Sequence, residues 1–162
     1  MCPNDVFDRF PVRKNPRCTG YDYRASNYYF VTVCTREKKW LFGKPGVLNR
    51  YGEIAYAGLV GIRKHFPGVS VDKMVVMPNH VHAIIILAGD DVHLSTVIGQ
   101  YKSFVSKEIH CLDPDISVWQ ASFHDHVIRN QQSYEKICGY IEGNPLKWQE
   151  DCYMQDMTDK KA

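Results

Sequence analysis

Two histidines one residue apart, His80 and His82, stand in the run VVMPNHVHAIIIL, Val75 to Leu87. Side chains alternate across a strand, so in an extended chain both imidazoles leave by one face while Val81 points into the other. Side by side they can grip one divalent ion, but two ligands do not complete a site and a third must come from elsewhere. The same spacing also fits a histidine that caps the preceding turn next to a hydrogen-bonded, half-buried one. The segment YIEGN offers further groups, because Tyr140 and Asn144 are four residues apart and share a face wherever a helix runs through both. Tyr140 flanks the apolar stripe of Tyr134, Ile137 and Ile141, at its edge and not its centre. From there a phenol can reach into a cleft, or pack at the rim of a core with its hydroxyl wet.

These groups need elements to hold them. NYYFVTVCT (Asn27 to Thr35), rich in β-branched and aromatic residues, predicts a strand. After the loop GKPG (Gly43 to Gly46), Asn49 is an N-cap for a helix through about His65, whose small face of Ile54, Ala57, Gly58, Gly61 and Ile62 suits close approach to a sheet. Gly68 to Met77 and His80 to Leu87 form a hairpin around Pro78 and Asn79, with the histidines expected at the mouth of the second strand, outside the core. Apolar on both faces, that strand belongs inside the sheet. A helix from about Ser95 to His110, a strand Asp125 to Arg129 and a helix from about Gln132 to Gly143 complete the series. The last should end at GNP, because Pro145 disfavours helical geometry at Asn144. The order β-α-β-β-α-β plus one helix is the ferredoxin-like, split βαβ arrangement: an α+β fold with a four- to five-stranded antiparallel sheet, both crossover helices on one face and the added helix, carrying Tyr140, on the other.

A length of 162 residues suits one domain, divided as a basic arm over 1–26, a folded part over 27–149 and a polar tail over 150–162. No apolar run approaches the roughly 20 residues a bilayer needs, and the start MCPNDVFDRF lacks a signal-peptide layout. The six cysteines show no CxxC spacing and read as reduced thiols, so the expected location is cytoplasmic, with no membrane partner. Charge is uneven: residues 1–50 carry ten Lys/Arg against four Asp/Glu, a net +6, and residues 51–162 a net −4. Such asymmetry suits a basic arm meeting a polyanion, and equally a solvated basic surface. A small-molecule metallohydrolase would want a carboxylate near the histidines, and MPNHVHAI has none.

Together VVMPNHVHAIIIL, WQASFHDHVIRN and YIEGNPLKW, with YDYRASNYYFVTVCT upstream, resemble the REP-associated tyrosine transposases, a branch of the single-tyrosine HUH transposases, in order and spacing from about Tyr21 to Trp148. The resemblance implies that His80 and His82 bind a divalent cation, Mg2+ or Mn2+, that Asn144 matches the polar metal-coordinating position, and that Tyr140 matches the nucleophile. It implies a DNA-nicking and strand-transfer enzyme acting on single-stranded DNA at palindromic hairpins through a 5′-phosphotyrosine. The alternative is a DNA- or RNA-hairpin-binding protein that keeps the fold without turnover. The chain departs from the family pattern at Ala83, often glycine, at Phe123, often tyrosine, and at Gly143, which loosens the helix end that must hold Asn144.

A phenol of ordinary pKa about 10 needs help to ionise, and His126, with His124, is the candidate base. For unpaired bases and phosphates the chain offers Arg13, Lys14, Arg17, Tyr21, Tyr23 and Arg24 in the arm, and Lys102 in YKSFVS. A monomer and a homodimer both fit.

Overall fold

The computed structural model describes residues 27–89 and 91–148, so the arm and the tail lie outside the described residues. Strand β1 (Asn27–Cys34) leads through a single 3-10 turn (Arg36–Lys38) and a two-residue ribbon, β2 (Gly43–Lys44) with β3 (Val47–Leu48), into helix α1 (Arg50–His65). The hairpin β4 (Val69–Met77) and β5 (His80–Leu87) comes next, then helix α2 (Leu94–His110), strand β6 (His124–Ile128) and helix α3 (Gln131–Gly143). Asn49 does cap α1, its Oδ1 accepting the Gly52 N–H at 2.9 Å, and Asn130 caps α3 through the Ser133 N–H at 2.8 Å. Among the described residues no helix is long and apolar enough to cross a membrane.

The main sheet runs β4-β5-β1-β6 with every neighbouring pair antiparallel. β1 and β4 are therefore parallel, separated by β5 and joined through α1, which is the split βαβ expected of an α+β, ferredoxin-like chain. Among the described residues the sheet has four strands; the β2–β3 ribbon pairs with itself and adds no fifth. Gly43 permits that ribbon, since its φ is 110° and an added Cβ would sit 2.6 Å from the Val47 carbonyl oxygen.

Alternation sorts the strand residues into two layers. Tyr29, Val31, Val33, Val81, Ala83, Ile85 and Val127 pack with α1 and α2, whereas Phe30, Ile84 and Ile128 pack with Ile137 and Ile141 of α3. β5, flanked by β4 and β1, is buried on both faces, which is why its apolar run is nearly continuous. Burying each of Ile137 and Ile141 contributes roughly 1.5–3 kcal/mol to holding α3 on the sheet.

The small face of α1 meets a different neighbour from the one expected. Ala55, Leu59 and Ile62 join the core cluster, while Ala57 is exposed and Gly58 lies against Tyr101, Phe104 and Val105 of α2. The glycine serves the helix–helix contact, because α1 must clear both the sheet and the aromatic face of α2.

A β-bulge between Val71 and Lys73 interrupts the β4–β5 register at Asp72. Two consecutive charged side chains thus serve α3: the Tyr134 hydroxyl donates to Asp72, and the Lys73 ammonium reaches Glu142 at 2.7 Å. The Asp72 bond raises the Tyr134 pKa, so this second tyrosine of α3 is held protonated at its own post.

An added Cβ at Gly58 would lie 2.9 Å from the Tyr101 ring, whereas one at Gly61 meets nothing within 4 Å. Gly58→Ala should destabilise by about 1–3 kcal/mol, and Gly61→Ala should stabilise by about 0.4–1 kcal/mol. Urea denaturation of both variants checks the sign at each position.

Candidate active site

β5 places its histidines on the α3 face, but not at an open mouth. His80 and His82 are both 0% exposed, so they belong to the core. The residues above them come from α3 and the turn beyond its end. The Tyr140 hydroxyl lies 3.3 Å from His82 Nε2, and its ring sits edge-on to Phe30 with centroids 6.1 Å apart. Eight residues on, the Trp148 ring stacks on His80 at 5.9 Å. The two imidazoles are 4.4 Å apart, centroid to centroid.

Asn144 lies midway between Tyr140 and Trp148 in the chain. Pro145 and Gly143 do not pull it out of helical geometry, for its φ of −58° and ψ of −45° are helical, and Lys147 N–H still reaches the Gly143 carbonyl at 3.1 Å. The run at spacing four therefore holds, with Tyr140, Asn144 and Trp148 on one face. Trp148 is a site residue that sequence reasoning missed, although it ends the motif YIEGNPLKW. The spacing was its signal, obscured by the expectation that the helix stops at GNP.

Each imidazole is held from behind. Thr32, buried and opposite His82 on β1, places its hydroxyl 2.9 Å from His82 Nδ1. Asn79 places its Oδ1 2.8 Å from His80 Nδ1. Burial pushes the His82 pKa down to about 3, opposed in part by the Val31 carbonyl, and pushes His80 well below the ordinary range, with His82 and Lys38 adding to the effect. Both rings are neutral at physiological pH, which is the form that ligates a metal. Lys38, on the 3-10 turn, is a second site neighbour that sequence reasoning missed; its charge also lowers the pKa of half-buried His124, after burial itself.

Do these residues fit a cation? Among the described residues no group of three His, Cys, Asp or Glu side chains is assembled, so a third ligand drawn from them would be a neutral oxygen. Asn144 could supply one: it is 3% exposed and its Oδ1 has no hydrogen-bond partner among the described residues. A buried carbonyl oxygen left this way costs about 1–3 kcal/mol unless something binds it. Two imidazole nitrogens and an amide oxygen suit Mn2+, and Mg2+ less well.

The other expected site residues are spread more widely. His124 pairs with Thr32 and His126 with Phe30, so both share the histidine face but lie two strands from β5, about 10 Å across the sheet. Lys102 is on α2, in the opposite layer, and its ammonium donates to the Gln120 carbonyl at 2.5 Å and the Ser122 carbonyl at 3.5 Å. Arg13, Lys14, Arg17, Tyr21, Tyr23 and Arg24 lie outside the described residues. Of the positions that depart from the family pattern, Ala83 and Phe123 are buried in the α1–α2 layer, away from the site.

The buried histidines make stability depend on pH. Between the folded value of about 3 for His82 and the ordinary 6.5, the unfolded chain binds a proton that the folded chain refuses. Stability is thus full above about pH 6.5 and falls with acidification, by up to about 1.4 kcal/mol per pH unit for each histidine. Urea denaturation at about pH 7.5 and pH 5 should show this loss, and His82→Gln should flatten it; an unchanged slope would contradict the burial argument.

The chain is similar to several known proteins. A protein of Haemophilus influenzae, described only as uncharacterized, is 29% identical over 164 residues, covering 86% of this chain and 91% of the relative. A REP-associated tyrosine transposase of Escherichia coli is 25% identical, covering 77% and 70%. A solved structure of a REP-associated tyrosine transposase bound to a REP hairpin shares the fold with a TM-score of 0.65 at 22% identity, covering 83% of this chain and 76% of that one. A candidate transposase from Deinococcus radiodurans matches with a TM-score of 0.53 at 16% identity, covering 78% and 95%. Residues 23–144, most of the chain and all of the His80, His82, Tyr140 and Asn144 set, match the IS200-like transposases, and it is to that family that the chain belongs.

Proposed function

We propose that this chain nicks and rejoins single-stranded DNA at hairpins, as a metal-dependent endonuclease and strand transferase of the REP-associated kind. The observation that carries the reading is the Tyr140 hydroxyl, 3.3 Å from Nε2 of a fully buried histidine. The E. coli relative and the hairpin-bound structural neighbour support palindromic DNA as the substrate class. A hairpin-binding protein without turnover is the alternative, and the retained set of His80, His82, Tyr140 and Asn144 favours catalysis over it.

His80, His82 and Asn144 would hold Mg2+ or Mn2+, which when bound neutralises charge on the scissile phosphate and polarises a non-bridging oxygen. Tyr140 is the nucleophile. Its half-buried ring is walled by Phe30 and His82, which limits the directions the hydroxyl can take and aims it at a bound strand. The phenolic oxygen bonds to phosphorus as the bond to the 3′-oxygen breaks. The phenol gives up a proton and the departing 3′-oxygen gains one, so the products are a 5′-phosphotyrosine and a free 3′-hydroxyl. A nitrogen that ligates a cation cannot also take a proton, so proton removal falls to His126 or His124 on the same face, through water if needed. The covalent link conserves the phosphodiester's energy, and a 3′-hydroxyl reverses the step without ATP.

The arm residues Arg13, Lys14 and Arg17 would clamp phosphates and Tyr21 and Tyr23 would stack unpaired bases beside Arg24, whereas Lys102, spent on the Gln120 and Ser122 carbonyls in the opposite layer, drops out of the expected DNA contacts.

Mixed with a single-stranded hairpin and Mn2+, the protein should form an adduct that survives denaturation; Tyr140→Phe should abolish it and retain hairpin binding. Binding without any adduct in the unaltered protein would favour the silent alternative. Replacing Arg13, Lys14 and Arg17 by Ala should weaken binding and flatten its salt dependence by about 0.7 in log–log slope per lost single-strand phosphate contact. Equal slopes across a salt series would make the arm a solvated tail.

A further inference from the structure

The turn ahead of the histidine pair is gripped by a segment with little regular structure. Residues 35–42 close around Pro78 and Asn79: the Thr35 N–H donates to the Asn79 carbonyl at 2.9 Å, and the Leu41 and Phe42 N–H groups donate to the Pro78 carbonyl at 2.8 and 3.0 Å. The Thr35 hydroxyl lies 3.0 Å from the same Asn79 oxygen. Inside this clasp the Asn79 side chain is fully buried, with its Nδ2 3.3 Å from the Lys38 carbonyl and its Oδ1 2.8 Å from His80 Nδ1.

Chemistry fixes which way that amide faces. The Lys38 carbonyl can only accept, so the NH2 group must meet it and the amide oxygen must meet His80. An oxygen acceptor at Nδ1 requires the hydrogen to be on Nδ1, and a neutral imidazole then carries its lone pair on Nε2. Presenting the Lys38 carbonyl has a visible backbone cost: Glu37 and Lys38 take φ values of 54° and 52°, in the left-handed region that glycine ordinarily occupies. Two such residues in succession persist only where the surroundings over-determine them, and the clasp does so here.

We infer that Asn79 is a positioning residue of the candidate metal site: held by the strained 36–38 turn, it locks His80 as the Nδ1–H tautomer and so reserves Nε2 for a cation. The tautomer claim stands on hydrogen bonding alone; only its consequence for affinity rests on the metal-binding reading above. A misplaced proton on Nε2 would have to be moved before His80 could ligate, and that cost would appear directly as weaker binding.

The experiment is histidine-selective 15N labelling with long-range 1H–15N spectra of the full chain at about pH 7.5 without metal, and then Mn2+ titration. In the unaltered protein His80 should show Nδ1 protonated and Nε2 bare. Asn79→Ala should give a mixed or Nε2–H ring and lose about 10- to 100-fold in Mn2+ affinity. Asn79→Asp keeps an acceptor against Nδ1 but loses the donor to the Lys38 carbonyl, so Nδ1 should stay protonated while the 36–38 turn loosens. The inference is overturned by a His80 with bare Nδ1 in the unaltered protein or in Asn79→Asp, or by an Asn79→Ala protein with unchanged tautomer and affinity. Should Asn79→Ala not fold, the other two spectra still decide. A protein with the predicted tautomers that takes up no Mn2+ would uphold the role of Asn79 and remove the metal from the proposed function.

Discussion

Complete burial of two imidazoles in the face of an interior strand is the constraint on which the rest of this structure depends. Removed from water, His80 and His82 cannot carry charge at neutral pH, and each must be satisfied by partners that the fold supplies. Thr32 across the sheet and Asn79 at the turn meet the two Nδ1 atoms; Tyr140 and Trp148, from α3 and the turn beyond it, close over the rings. A site of this kind is set by the scaffold before any substrate arrives, which is what placement on a central strand provides.

The position of α3 is as important as that of β5. Its apolar contacts with Phe30, Ile84 and Ile128 fix its height over the sheet, while Asp72 and Lys73 on β4 engage Tyr134 and Glu142 and fix its rotation. Exposed ion pairs such as Lys73–Glu142 contribute little to stability. Their use here is directional: a rotation of α3 by one residue, about 100°, would carry Tyr140 away from His82. The same contact assigns the two tyrosines of the helix different tasks, since Tyr134 is committed to Asp72 and Tyr140 faces the histidines.

Much of this arrangement was legible in the sequence because it rests on periodicity and caps. Strict alternation put His80 and His82 on one face, the doubly apolar run put β5 inside the sheet, and Asn49 marked the start of α1. The depth of the histidines was not legible, because it comes from α3 and Trp148 closing over the sheet end, contacts made across more than fifty residues of chain. The clasp over residues 35–42 left no pattern either, being built from backbone hydrogen bonds and from left-handed residues that are not glycine. The bulge at Asp72 did leave a trace: Val69, Val71, Met74 and Val76 face the α1–α2 layer, and the jump of three between Val71 and Met74 breaks the period of two. Pro145 misled only about Asn144: α3 ends at Gly143 as expected, yet Asn144 keeps helical geometry and the Lys147 N–H still bonds to the Gly143 carbonyl.

Catalysis by Tyr140 is defined by which atom of the protein becomes joined to which end of a cut strand. Hairpin DNA carrying a label on each side of the scissile bond, digested to peptides after reaction and read by mass spectrometry, measures both at once. The expected result is a nucleotide linked through its 5′-phosphate to Tyr140 and a released strand with a 3′-hydroxyl that a polymerase extends. A link to Tyr134, a protein-bound 3′-phosphate, or a nick bearing a free 5′-phosphate and no peptide would contradict it.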